Sequence, residues 1–353
     1  MHYKLGFYIR LKSSNIPIMK KLLLLLLLVV SSISNAQTSV TGQITTNTTW
    51  TLANSPYIVT GNILVPAGVT LTIEPGVVVK VNNGLYIKTE GIINAIGTDT
   101  NQIIFESSEV TSDKSKWKGI IIRPTGGSIV DTNQNYISGS KFENVVLKNA
   151  DVGLYIFNTG LYLNKSIFKY NNFGIEIRNT NGVLINNSTF IENNKGIMTE
   201  YEKYSPDDST GNIVNTYINN NTFSNNQVGI DFMLNQRYFE NLNVYNNLIK
   251  ENNTGLSFSG GGYGCRVKSV YISKNIIINN TGDGLKVGQI YGYGGSNIVN
   301  SPPPNTYPLL LEKNTIINNP VFWDFGGGAS GVPIKIAKFP VKNKDSVQIF
   351  YPN

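Results

Sequence analysis

Four ionisable side chains occupy related places in a phrase that this 353-residue chain repeats: Glu176, Arg178, Lys195 and Asp231. Glu176 and Asp231 each stand just beyond a glycine, Gly174 and Gly229, in copies of the phrase two repeats apart. If each copy is one rung of a coil of stacked strands, their backbones lie about 9–10 Å apart. Two carboxylates at that reach suit an inverting glycosidase, whose acid and base flank the bond with a water between them. Lys195, Arg178, Arg237, Arg266 and Lys268 supply positive charge for an acidic sugar. The full column reads Tyr155, Glu176, Met198, Asp231, Ser257 and Lys286, and its alternative reading is a solvated charged face.

A second set of candidates lies in stretches that interrupt the repeat: 200–212, 233–241, 259–266 and 288–306. Each follows the strand after a repeat's glycine, so all four belong to one corner and form a row of loops. They carry Tyr201, Tyr204, Arg237, Tyr238, Phe239, Tyr263, Arg266, Tyr291 and Tyr293, with Asp207 and Asp208. Flat rings beside charged groups suit a sugar polymer, because a ring covers the apolar face of a pyranose while polar groups hold its hydroxyls or carboxylates. The alternative is that these tyrosines anchor Gly-rich loops to the sheet.

Other chemistries are excluded by composition. The only histidine, His2, lies in the leader, which removes Ser-His-Asp and Cys-His catalysis and His-ligated zinc. The single cysteine, Cys265, forms no internal disulfide. The formal charge of +7 is a leader effect: Lys4, Arg10, Lys12, Lys20 and Lys21 are five of the 29 basic residues, and the remaining 24 face 22 acids, a net of +2. Nucleic acid is therefore not an expected partner. No resident metal or cofactor is expected, although Glu176, Glu200, Asp207, Asp208 and Asp231 would suit calcium if the chain were a lyase.

The elements that must position these groups are strands. The phrase recurs as SIFKYNNFGIEI (166–177), STFIENNKGIMT (188–199), NTFSNNQVGIDF (221–232), NLIKENNTGLSF (247–258) and NIIINNTGDGLKV (275–287). Looser copies lie at 142–156 and 314–325. Apolar residues alternate after each glycine (Ile175, Ile177; Ile230, Phe232; Leu256, Phe258), a period of two, and no window offers a helical stripe. The Asn-Asn and Gly punctuation is turn chemistry. Short strands, tight corners and repeats of this length predict an all-β solenoid, a parallel β-helix of roughly 10–12 rungs. Asn171, Asn193, Asn225, Asn252, Asn279 and Asn318 are expected to stack as a ladder at one corner, satisfying buried backbone groups.

The N-x-[FI]…NN-x-G-[IL] phrase, from about Phe142 to Phe325, resembles the right-handed parallel β-helix repeat of the pectate-lyase-like superfamily, in its secreted bacterial form. That resemblance implies a right-handed coil. It leaves activity open, since the superfamily holds polysaccharide lyases, glycoside hydrolases and surface adhesins. For a lyase it implies Lys or Arg as base, often with calcium. Arg266-Val267-Lys268 is similar to the RIK of polygalacturonases, but the paired-Asp and Gly-His-Gly motifs of that family are missing, which rejects it.

In chain order, Met19–Ala36 reads as a Sec-type signal peptide cleaved after Ala36, with residues 1–18 as an upstream extension. Its apolar core is too short for a span of about 20 residues, so the mature chain has no expected transmembrane segment. Residues 37–353 are expected to form one β-helix domain, with 40–58 as an N-terminal cap, strands at 69–73 and 77–81, and a loop at 124–140. IKIAKF (334–339) and VQIFY (347–351) are candidate closing strands, and the final FYPN resembles the opening of a C-terminal sorting domain. A monomer exported to the medium, the cell surface or the periplasm follows. The leading functional expectation is binding of a polysaccharide or cell-surface glycan through the loop row. A structural or adhesive role, and a polysaccharide lyase or glycoside hydrolase acting at Glu176 and Asp231, are the alternatives.

Overall fold

The computed structural model describes residues 37–199, 211–233, 237–259, 266–267, 269–287, 309–319, 321–325 and 334–337. Alternation of β-branched, aromatic and polar residues produces strands throughout, and these coil into rungs with three strand faces. The first face is a 12-strand sheet with one strand per rung, from Thr48–Trp50 to Ile334–Ala337, plus the short Arg266–Val267 beside that path. This makes eleven rungs among the described residues, within the expected range. The second face holds short strands such as Ile167–Lys169, Thr189–Ile191 and Thr222–Ser224. The third holds Val152–Phe157, Phe173–Arg178, Lys195–Thr199, Val228–Met233, Thr254–Ser259 and Asp283–Val287. Pairing between rungs is parallel on all three, so the fold is a parallel β-helix.

The core runs down the axis. Like residues stack on like: Phe168, Phe190 and Phe223 lie in parallel with centroids 5.1 and 4.8 Å apart. Leu154, Ile175, Ile197, Ile230, Leu256 and Leu285 form another buried column, through pairings that keep one register over six rungs. Glycine beside this column is required by close approach. A Cβ on Gly196 would meet the Gly229 carbonyl oxygen at 2.5 Å and Phe223 Cδ1 at 2.8 Å.

The corner ladder is present with a corrected membership. Asn171, Asn193, Asn226, Asn252, Asn280 and Asn319 stack, each Oδ1 accepting the backbone N–H of the preceding member at 2.9–3.0 Å. Asn225, Asn279 and Asn318 are instead the residues before the ladder, with φ of 55°, 57° and 54°. The constant is the distance from the buried Phe or Ile, not the first Asn of each pair. A second ladder, unread from sequence, runs through Ser166, Ser188, Asn221, Asn247, Asn275 and Asn314 at the other end of the short strands. Its signal was available: Ser or Asn stands two residues before each of Phe168, Phe190, Phe223, Ile249, Ile277 and Ile316.

At the N-terminal end, Thr38–Gln43 pairs in parallel with Tyr57–Leu64 and so covers that sheet edge with a partial rung. Trp50 and Tyr57 stack there at 4.9 Å, both buried. The expected loop at 124–140 is corrected. It holds a short 3-10 turn at Pro124–Gly126 and an antiparallel hairpin, Ile129–Val130 with Tyr136–Ser138. The hairpin lies over the outer side of the first face, where Gln134 Oε1 accepts from Asn219 Nδ2 at 3.2 Å and from the Tyr245 hydroxyl at 3.0 Å.

Candidate functional site

The outward column on the third face has the expected members. Tyr155 pairs with Glu176, Glu176 with Met198, Met198 with Asp231, Asp231 with Ser257, and Ser257 with Lys286. It is not the solvated face of the alternative reading. The Glu176 and Asp231 side chains are 3% and 5% exposed, and Met198 between them is buried. A charge buried this far must be paired and hydrogen-bonded. Glu176 Oε1 accepts from Arg178 Nε. Asp231 Oδ2 accepts from Lys195 Nζ at 2.7 Å. The four catalytic candidates thus come together as two ion pairs separated by Met198. Asp231 Oδ1 is buried with no hydrogen-bond partner, the one carboxylate oxygen among the described residues in that state.

One side of this column was missed by sequence reasoning. Ile122 pairs with Ile156, and Phe157 with Arg178, so Arg123, Phe157 and Arg178 follow one another on three successive rungs. The Arg123 guanidinium sits 4.6 Å from the Phe157 ring centroid, and that of Arg178 lies 4.9 Å from Tyr155. The two rings are 6.2 Å apart. The signal was alternation: Tyr155 and Phe157 flank the inward Ile156 and had to face out.

The binding candidates divide. Tyr201, Tyr204, Tyr263, Tyr291 and Tyr293 lie outside the described residues, as do Glu200, Asp207, Asp208, Cys265 and Lys268. Arg237 and Tyr238 are not loop residues: they belong to the strand Arg237–Tyr245, which pairs in register with Gly211–Asn219. Phe239, in the same expected loop, is fully buried. Arg266 belongs to Arg266–Val267, paired with Tyr238–Phe239. The sequence placed the corner correctly but took strand for loop, because an aromatic strand end and an aromatic loop look alike. The remaining connections are 200–210, 234–236, 260–265 and 288–308, all leaving from strand ends that stack in register on the third face. The two rungs before them turn the same corner within 158–160 and at 179.

No group of three or more His, Cys, Asp or Glu among the described residues is placed to hold a metal ion. No helix among them is long and apolar enough to cross a membrane.

A family model described as "right handed beta helix region" matches residues 83–270. The chain belongs to the right-handed β-helix family. This fixes the hand of the coil, as the resemblance implied. Two further likenesses are distant. A stretch of 72 residues, 20% of this β-helix chain, is 33% identical to Protein bark beetle of Drosophila melanogaster but spans only 2% of that protein. The mannuronan C-5 epimerase AlgE6 A-module of Azotobacter vinelandii aligns over 88% of this chain and 92% of that one, at 13% identity and a TM-score of 0.44. Neither assigns an activity to this β-helix.

Proposed function

We propose that the protein is an exported β-helix that binds polysaccharide along the corner carrying residues 200–210, 234–236, 260–265 and 288–308. One observation supports this reading above others. The strands that feed these four segments, Lys195–Thr199, Val228–Met233, Thr254–Ser259 and Asp283–Val287, are paired in unbroken sequence, so the segments start one above another beside the Arg178–Glu176 and Lys195–Asp231 pairs. Tyr201, Tyr204, Tyr263, Tyr291 and Tyr293 lie within them. Strand ends stacked along a rigid axis, each leading into a Tyr-bearing or insertion segment, match an extended polymer better than a compact ligand. The test is retention of the protein from Gln37 onward on a panel of neutral and acidic polysaccharides. Binding of at least one polymer, weakened tenfold or more by the joint change Tyr201→Ala, Tyr204→Ala and Tyr263→Ala, is expected. Retention unchanged in that variant would move the site elsewhere, and no retention at all would favour a structural or adhesive role.

A catalytic reading is favoured by Asp231 alone. Its unpartnered oxygen is a buried acceptor left open beside a lysine, and an unsatisfied buried polar atom in a folded protein calls for a reason such as a catalytic role. On that reading Asp231→Asn removes all release of reducing ends or unsaturated products from a bound polymer while leaving retention intact. A wild-type protein that releases neither is a binder only.

A further inference from the structure

We propose that the 129–138 hairpin is a strap that opens as a unit while the coil beneath it stays folded, and that it controls access to Leu184, Tyr217 and Asn219, the hidden part of an uncharged aromatic strip on the first face. The inference goes beyond the polysaccharide reading and does not depend on it. It uses no residue of the four connecting segments.

The first observation is burial where alternation gives exposure. Leu184 stands between the inward Val183 and Ile185, and Tyr217 between the inward Thr216 and Ile218, so both point out of the coil. They are buried nonetheless, as is Asn219 on the same side. Among the described residues the element that lies over them is the hairpin, which climbs the coil along its axis. Ser128 O stands 2.3 Å from where a Cβ on Gly160 would lie, and Val130 O 3.6 Å from one on Gly182, a rung further on. At the tip Gln134 Oε1 reaches Asn219 and Tyr245, on the next two rungs. Past the tip the strip is open. Tyr162, Leu184, Tyr217, Asn243 and Tyr271 form one column in register, and Tyr271 is exposed.

The second observation is an asymmetry of support. The hairpin is the one antiparallel pairing among the described residues, two ladder pairs long with a shift of register between them. A two-stranded hairpin of that size is at best marginal by itself, so it persists only while docked. The coil does not depend on it in return. Its strands pair without a break beneath the hairpin, from Lys141–Glu143 through Leu161–Asn164 and Thr180–Asn186 to Gly211–Asn219. The base is pinned: Ser140 Oγ donates to Gly126 O and accepts from the Ile93 N–H at 3.0 Å, and Ser128 Oγ accepts from the Tyr162 N–H at 2.8 Å. The tip is held more lightly. Among the described residues its hydrogen bonds to the coil all run through Gln134, itself at φ of 67°. Between base and tip, Tyr136 meets Tyr162 edge-on at 5.2 Å, while Ile129 and Ile137 are exposed on the outer side. An element with a fixed base, a tip on two polar bonds and little buried apolar surface opens locally, well below the cost of global unfolding.

The experiment follows nitration of tyrosines by tetranitromethane in the protein from Gln37 onward, mapped by peptide mass spectrometry, with amide hydrogen exchange in parallel. Tyr271, exposed, and Tyr57, buried at the N-terminal end, are the internal references for open and closed. Tyr217 is expected to react at a rate between the two. Gln134→Ala, which removes both tip bonds, is expected to speed Tyr217 tenfold or more while the Tyr57 rate and the melting temperature stay unchanged. Asp131→Ala, which loosens the turn instead of the tip contact, is expected to act in the same direction. Amides of 129–138 should exchange well before those of Thr180–Asn186. Tyr217 reacting in step with Tyr57, or no faster in Gln134→Ala, would overturn the proposal and make the hairpin a fixed brace. So would simultaneous exchange of the hairpin and the strands beneath it. Tyr217 as reactive as Tyr271 in the unaltered protein would overturn it from the other side, since the hairpin would then cover nothing.

Discussion

Asn225 and Asn226 are neighbours with opposite tasks. Asn225 is exposed and holds φ at 55°, a left-handed conformation that Asn and Gly tolerate best. Asn226 is buried: its Oδ1 accepts from the Asn193 backbone and side chain, and its Nδ2 gives to Phe190 O and Asn252 Oδ1. Asn225→Gly is therefore expected to shift stability by less than about 0.5 kcal/mol. Asn226→Ala strands several buried groups and is expected to cost about 2–4 kcal/mol, at about 1–3 per unsatisfied group. Urea midpoints of the two variants check this. The same pair explains why ladder membership was only half legible. Both tasks select Asn, so the type at each position does not say which residue turns inward. At the site, alternation made it legible that Glu176 and Asp231 point away from the core. It could not show that Arg178 and Lys195 lie against them, because the reach of a long side chain to a neighbouring strand has no period in sequence.

At the scale of elements, the rungs tolerate little change where they approach closely. Gly196→Ala would place a Cβ against the Gly229 carbonyl and the Phe223 ring, and overpacking of this kind costs about 1–3 kcal/mol. A lowered melting temperature with native far-ultraviolet dichroism is the expected readout. The 129–138 hairpin is a different case, an element the sequence concealed. Its strands are two and three residues long, too short for alternation to register. Its turn is held by Asp131, whose carboxyl lies below the usual aspartate range because the Asn135 backbone N–H and side-chain amide donate to it. A depressed value means a contribution present above the unfolded value of about 4 and lost as acid carries the pH through the folded one. The amide resonances of 129–138 should therefore shift below pH 4 while those of the Phe168–Phe190–Phe223 rungs stay fixed. Coincident movement of both sets would show that the hairpin has no acid transition of its own.

For the whole molecule, repetition made the architecture the most legible feature of the chain. One phrase said several times implies one rung stacked several times, from which the parallel pairing and the eleven rungs among the described residues follow, while the right hand comes from the family match. Which ligand a β-helix takes, and whether it does chemistry on it, depends on single residues that occur once, such as Asp231 with its open oxygen, and repetition says nothing about those. The export reading makes its own prediction: protein recovered from the medium or periplasm of an expressing cell should begin at Gln37, as N-terminal sequencing would show. The corner ladder carries a further consequence. From Asn171 to Asn280, each Nδ2 in turn donates to the Oδ1 of the next rung, and the Asn221–Asn247–Asn275–Asn314 set does the same in the same direction. Their side-chain carbonyls all face the N-terminal end. An amide group carries about 3.5 D, so two aligned files of them give the coil a polarity along its axis, as peptide units do along a helix. Each rung polarises the next, and the partial charges are left at the two ends of the file. The coil therefore has an electrical as well as a chemical direction, with the ends of its two asparagine files carrying opposite sign.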